Sequence, residues 1–228
     1  MLNLKQRNLL SKNLGRTDEL ESLRGIAAFL IMIYHIPKWN SFLDINFINN
    51  SYIMVEFFFV LSGFVIFQAY SDKIEGKNQF LKFTLLRLGR IYPVHLFFLC
   101  LFTLVEVAKY ILEIKFDIVS INSVAFSINN SSEFIKHIFL LQGLGGFSSI
   151  VSFNGPAWSI SVEFYTYIIF AFVILFFQKN SIYFFIIFMV FLTLLQLSEK
   201  TFYYGDLVRC LTGFSFGCCV AFFRKNYS

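Results

Sequence analysis

Glu21-Ser22-Leu23-Arg24-Gly25-Ile26-Ala27-Ala28-Phe29-Leu30-Ile31-Met32-Ile33-Tyr34-His35 is the stretch whose reading decides the fold. It is apolar enough for a membrane helix, yet it carries an arginine and a histidine eleven positions apart. Eleven steps of ~100° return to within about 20° of the starting direction, so both side chains share one helix face. The same steps at ~1.5 Å separate them by about 16 Å along the axis. With Arg24 at one surface of a hydrocarbon layer ~30 Å thick, His35 lies near its middle. An ionisable side chain at that depth is costly and is a functional candidate by default. The competing reading is a histidine hydrogen-bonded between helices for packing alone.

Composition extends this reading to the whole chain. With 57% hydrophobic residues, 14% charged residues and 33 phenylalanines, apolar runs are too continuous for one core under a polar skin. The period-2 alternation of a membrane barrel is absent, so the expected fold class is all-α, a polytopic transmembrane helix bundle. The net charge of +5 comes from bases in short segments beside apolar runs, a topology signal, and no nucleic-acid partner is expected. Cys100, Cys210, Cys218 and Cys219 lie in apolar segments without metal-ligand spacing. Buried free thiols and no metal site are therefore expected.

The expected domains are a cytoplasmic polar lead, 1–19, and a membrane domain, 20–228. Lys5, Arg7, Lys12 and Arg16 hold the lead on the cytoplasmic side, and Thr17 or Asp18 supplies an N-cap for the first span. That span is expected from Leu20 to Trp39, with Pro37 and Trp39 at the far interface, followed by a polar loop over 40–51. A second span, Tyr52 to Tyr70, carries Glu56 near its outer end and the small pair Ser62-Gly63, which admits a neighbouring helix closely. Residues 71–89 form the most basic internal segment and are expected to be a cytoplasmic loop. Arg87 at its end and Arg90 just after it, three apart, point the same way on a helix, and two guanidiniums there suit a phosphate. Ordinary topology charge is the alternative.

A third span is expected from Ile91 to Leu112, with His95 as an interfacial histidine without a catalytic role. The stretch Phe134 to Leu144 is short for a crossing, so a re-entrant or interfacial helix competes with a thin span, and the total stays at six or seven. Further spans are expected over Trp158–Phe177, Ser181–Leu197 and Leu207–Phe223. If 134–144 does not cross, Arg224 and Lys225 finish on the basic, cytoplasmic side.

Leu20-Glu21-Ser22-Leu23-Arg24-Gly25-Ile26-Ala27-Ala28 through His35 resembles the opening motif of the acyltransferase-3 family of integral membrane acyltransferases. Four further segments are similar to that family's motifs in the same order. These are Phe58-Phe59-Val60-Leu61-Ser62-Gly63-Phe64, Arg87-Leu88-Gly89-Arg90-Ile91-Tyr92-Pro93, Asn154-Gly155-Pro156-Ala157-Trp158-Ser159-Ile160-Ser161-Val162-Glu163-Phe164-Tyr165, and Arg209-Cys210-Leu211-Thr212-Gly213-Phe214 with Gly217. The resemblance implies transfer of an acyl group, often acetyl, from acyl-CoA as co-substrate to a hydroxyl of an envelope glycan or lipid-linked saccharide. No bound cofactor is implied, and the expected location is a bacterial inner membrane. Two departures stand out. Leu86 occupies the place of the first of the family's paired arginines, and the family's membrane domain has more helices than this chain supplies. A second chain supplying the missing helices is one expectation; an inactive fragment of such an enzyme, or a non-catalytic, transporter-like membrane protein, is another.

On this reading Arg24, Arg87 and Arg90 hold the donor's phosphates at the cytoplasmic surface, and its pantetheine arm reaches inward to His35. There a neutral imidazole either removes the proton of an acceptor hydroxyl or is itself acylated. Glu163 either orients His35 or binds the acceptor. Ser62, Trp158, Ser161 and Glu56 are candidates for an acceptor or structural role.

Overall fold

The computed structural model describes residues 19–20, 22–36, 44–118, 120, 122–145, 152–197 and 205–227, and among them all regular structure is helical. Nearly all of the polar lead, Thr17 and Asp18, the Pro37–Trp39 interface, and Glu199 and Lys200 lie outside the described residues. The chain forms two compact units, Met1–Phe58 and Phe59–Ser228.

In the first unit α1 runs over Ser22–Tyr34. At ~1.5 Å per residue this part is about 20 Å long; Glu21 and the far end of the span expected over Leu20–Trp39 lie outside the described residues. Ile26, Phe29 and Met32 form an exposed apolar face on it. Part of the expected polar loop is a single helical turn, Asn46–Asn49, fastened by Asn49 Nδ2 donating to Asp44 (2.9 Å) and Asn50 Nδ2 donating to the Asn46 carbonyl (2.8 Å). A 3₁₀ turn, Ser51–Ile53, then leads into α2, Met54–Tyr70, which continues into the second unit.

Four helical stretches among the described residues are long and apolar enough to cross a membrane: Asn46–Tyr70, Lys77–Phe116, Gly155–Leu197 and Gly205–Asn226. The third is a hairpin. Its arms are α5, Trp158–Phe177, and α6, Ser181–Leu197, and the chain reverses at Gln178, where φ is +45°. Phe170 and Phe185 stack with centroids 5.8 Å apart, whereas a straight helix would hold them about 22 Å apart. α7, Gly205–Tyr227, turns back once more, with Gln196 donating to Thr212 at 2.9 Å. Lys225 near its end pairs with Asp72 just after α2. The basic end of α7 and the segment after α2 therefore lie at the same end of the bundle.

α3 departs from expectation. It spans Lys77–Phe116, forty residues and about 60 Å, twice the hydrocarbon thickness. Only 71–76 is left as a loop, because nothing between Lys77 and Leu88 breaks a helix. Pro93 sits inside α3, where it removes only the N–H that would have met the Gly89 carbonyl. In the last third of α3, Glu106 accepts from the Phe126 amide (2.9 Å) and Asn129 Nδ2 (2.8 Å), and Glu113 accepts from the Ala125 amide (3.0 Å). These bonds fold the following loop onto the end of α3.

In the stretch expected to be a re-entrant or interfacial helix or else a thin span, the helix is short, about 12 Å long. α4, Ser131–Ile138, is eight residues long, capped at its start by Asn130 Oδ1 accepting from the Glu133 amide. The chain then turns through Leu140, φ +56°. Four successive carbonyls at this turn each receive a side-chain donor from a neighbouring helix, and that of His137 also keeps the Leu140 amide at 3.1 Å. His95 Nε2–H serves His137 (2.9 Å), Tyr92 serves Ile138 (2.8 Å), Tyr165 serves Phe139 (2.9 Å) and Ser161 serves Leu140. Ser161 also accepts from the Gly143 amide at 3.1 Å. His95, expected to be interfacial, is thus buried within the protein, and its ring stacks on that of His137, 5.9 Å away. The thiols are free, but Cys100 is exposed, contrary to the expectation of burial, because it faces outward from α3.

Phenylalanines fill the second unit. Phe67 meets Phe170, Phe185 and Phe222 edge-on, and Phe83, Phe170 and Phe214 are buried around Tyr167. At the crossing of α2 and α7 the backbones touch through glycine. A β-carbon at Gly63 would fall on the Phe214 carbonyl, and one at Gly217 on the Val60 carbonyl. A backbone carbonyl cannot yield as a flexible side chain can, so Gly63→Ala should lower stability by about 1–3 kcal/mol in detergent unfolding. Gly89→Ala, whose β-carbon meets nothing within 4 Å, should be neutral or stabilising by up to about 1 kcal/mol.

His137 supplies a pH test. Its Nε2–H donates to Ser152 Oγ (3.0 Å), and Ser152 donates to Glu133 (3.2 Å). Burial, reinforced by His95, lowers the pKa of His137 from 6.5 to about 4 against the opposing pull of Glu133. Between those values the unfolded chain binds a proton that the folded chain does not. Stability is therefore complete above about pH 6.5 and falls as pH drops toward 4. The unfolding midpoint should decline over that window, and the decline should be shallower in His137→Gln.

Candidate functional site

The second unit joins two of the candidate residues across the bundle. Ser62, on α2, donates its hydroxyl to Glu163 Oε1 on α5 at 2.5 Å. Tyr167, one turn further along α5, donates to the same oxygen at 2.5 Å, and the Ser62 and Tyr167 oxygens are 2.7 Å apart. The close approach of α2 to α7 at Gly63 fixes Ser62 in depth and direction. Phe83 and Phe214 hold the Tyr167 ring edge-on. Ser62 and Tyr167 are buried, while Glu163 is only half-buried.

Sequence reasoning missed Tyr167. Its signal was present, because a residue four positions after Glu163 on a helix lies on the same face. Nothing local announces Ser62 as the partner, since the two contacts are separated by 101 positions.

Arg87 reaches toward this cluster from α3. Its guanidinium donates to the Tyr70 hydroxyl at 2.8 Å and lies over the rings of Tyr70 (5.0 Å) and Phe83 (5.6 Å). Phe83 in turn touches Tyr167. Arg87 Nε is buried without a hydrogen-bond partner among the described residues, so the fork retains unspent donors. Arg90, expected to share its direction, is exposed while Arg87 is half-buried. Tyr70 is the residue that separates their roles, and it too went unnoticed in the sequence.

Trp158 and Ser161 belong to the framework below Glu163. Trp158 opens α5, packs edge-on against Phe59, and carries the Arg209 guanidinium 5.3 Å over its ring. Ser161 is fully buried and spends its hydroxyl on the turn after α4. A β-carbon at Gly143 would collide with the Trp158 carbonyl, so that turn docks directly on the start of α5. These contacts set the height at which Glu163 is presented.

His35, Arg24 and Glu56 lie in the first unit. Arg24 is half-buried in the first turn of α1. Glu56 is half-buried in the first turn of α2. His35 stands in the turn that ends α1, not within the helix body; its amide still bonds to Ile31 and Met32 carbonyls. The imidazole folds back so that Nδ1–H donates to the Ile31 carbonyl at 2.8 Å, and the Tyr34 ring packs against it edge-on at 5.1 Å. That bond fixes the tautomer and leaves the lone pair on Nε2. The side chain is exposed.

A cleft of about 520 Å³ opens at the end of the second unit where α2, the α5–α6 reversal and α7 meet. Phe67, Ile174 and Ile182 form its floor, and Asp72, Lys179 and Lys225 stand at its rim. Neither Arg87 nor Arg90 lines it. No group of three or more metal-ligating side chains occurs among the described residues.

The chain is similar to protein 2 in the picA locus of Rhizobium radiobacter, with 30% identity over 151 residues, covering 63% of this chain and 75% of that protein. No solved structure matches it. A family model described as an acyltransferase domain matches residues 17–227. That match runs through α1 and its histidine, the Ser62–Glu163 contact and the last apolar helix, and the chain belongs to the acyltransferase-3 family of helical membrane proteins.

Proposed function

We propose that this protein is a membrane-embedded acyltransferase. It moves an acyl group, in the first instance acetyl, from acyl-CoA to a hydroxyl of an envelope carbohydrate or lipid-linked saccharide. The observation that carries the reading is the family match over residues 17–227. The geometry of His35 supports it. With Nδ1–H committed to the Ile31 carbonyl, Nε2 presents its lone pair at an exposed position and can act as the base. It takes the proton of the acceptor hydroxyl as that oxygen attacks the thioester carbonyl. Collapse of the tetrahedral intermediate breaks the carbon–sulfur bond, and the departing thiolate recovers the proton from the imidazolium. Acylation of His35 itself is the alternative order of events.

The donor's phosphates belong with Arg87 and Arg90, both on α3. The unspent N–H groups of Arg87 and the exposure of Arg90 support this assignment. The basic ends of the bundle then face the cytoplasm, in keeping with the positive-inside rule. Counting α1, the spans number six, with α4 re-entrant. Lys225 beside Asp72 supports that count, because it keeps both basic segments on one side.

The test is radiolabelled acetyl transfer from acetyl-CoA to envelope glycan by the protein in lipid nanodiscs. His35→Ala should abolish transfer at an unchanged level of inserted protein. Arg90→Ala should raise the KM for acetyl-CoA about ten- to a hundredfold, as expected for one lost charge-assisted hydrogen bond. The phosphate-poor donor acetyl-pantetheine should be nearly indifferent to that change. Equal losses with both donors would assign Arg90 to folding instead.

A further inference from the structure

Glu163 has an asymmetry that its partners impose. Both hydroxyls that reach it, from Ser62 and from Tyr167, fall on Oε1. Oε2 has no hydrogen bond among the described residues, and no cation pairs with the carboxylate there. Ser62 and Tyr167 are 4% and 6% exposed, whereas Glu163 is half-buried, so the edge left accessible lies away from the pinned oxygen. A carboxylate in apolar surroundings that is satisfied on one oxygen only is a receptor for one more donor.

The two hydroxyls are themselves immobilised. Tyr167 is wedged between Phe83 and Phe214, and Ser62 precedes the glycine through which α2 touches α7. They act from separate helices on one atom, which blocks rotation of the carboxylate about its terminal bond. Oε2 is thereby held in a fixed place, the preorganisation that a site needs if it is to recognise a ligand by direction as well as charge. A neutral donor suits this oxygen, because no guanidinium pairs with Glu163 among the described residues: Arg87 lies over the rings of Tyr70 and Phe83 and Arg209 over that of Trp158.

We propose that Oε2 of Glu163 is the atom that anchors the acceptor by accepting a hydrogen bond from one of its hydroxyls, and that Ser62 and Tyr167 are positioning residues that reserve Oε2 for this use. The proposal rests on the acyltransferase reading for the identity of the ligand.

Two measurements test it, one without reference to transfer. In kinetics with envelope glycan as acceptor, Tyr167→Phe and Ser62→Ala should each raise the acceptor KM about tenfold and leave the KM for acetyl-CoA unchanged. In a Glu163→Gln background neither change should have a further effect, because both act through the one carboxylate. Full effects retained in that background, or equal changes in both KM values, would overturn the positioning role. Infrared difference spectroscopy supplies the second measurement. The Glu163 carboxylate band, identified by its loss in Glu163→Gln, should shift on adding methyl glucoside. It should stay in place with the fully O-methylated sugar, which has no hydroxyl to donate. A shift without measurable transfer would uphold the anchor and count against the acyltransferase reading. Transfer without a shift would overturn the anchor and leave that reading standing.

Discussion

In the hydrocarbon layer a polar atom has only other protein atoms to bond. That constraint organises this chain more than apolar burial does, since lipid solvates phenylalanine as well as a neighbouring helix can. Where α4 ends, four successive carbonyls receive side-chain donors from α3 and α5. Where Glu163 enters the bundle, two hydroxyls meet it. Where Arg87 turns inward, Tyr70 receives it. All of these but the Tyr167–Glu163 bond join different helices or turns, so satisfying polar groups also fixes which segments are neighbours.

The same bonds explain how much of the protein was legible beforehand. Apolar runs bounded by charge or by Gly-Pro give helix positions directly, and α5 and α6 fall where the hydropathy puts them. The N-terminal third of α3 is helical although its charge density suggests a loop. Lys77, Lys82 and Arg87 are all good helix formers, and a helix that outruns the bilayer is free to carry them. The short stretch after Ser131 could not be settled from length alone. Its outcome depends on whether partners exist for its exposed carbonyls, and Tyr92, His95, Ser161 and Tyr165 become partners only once the helices are assembled.

The candidate site was legible in part for a related reason. Residues that share one helix, such as Arg24 with His35 or Glu163 with Tyr167, can be related by counting turns. Ser62 and Glu163 are a contact between helices, and helix contacts here are set by glycine. Gly63 and Gly217 permit backbone-to-backbone approach, a property that hydropathy does not register. The motif Trp158-Ser159-Ile160-Ser161-Val162-Glu163 likewise reads as one unit, yet the structure divides it. Trp158 and Ser161 build the floor on which the turn after α4 rests, and Glu163 alone presents a polar group beyond it.

The chain's three histidines show what separates a structural imidazole from a basic one. Each spends one N–H on a fixed acceptor: His35 on the Ile31 carbonyl, His95 on the His137 carbonyl, His137 on Ser152. Each therefore keeps one bare nitrogen, and by hydrogen-bonding chemistry the three are equivalent. Burial is what divides them. His95 and His137 are 2% and 1% exposed, stacked on one another, with Nδ1 of each sealed away from any donor among the described residues. Those nitrogens are closed off inside the protein, and these rings serve the turn after α4. His35 has the same internal bond at an exposed helix end. Its second nitrogen is therefore open to an incoming group, which is the access an acyl-transfer base requires.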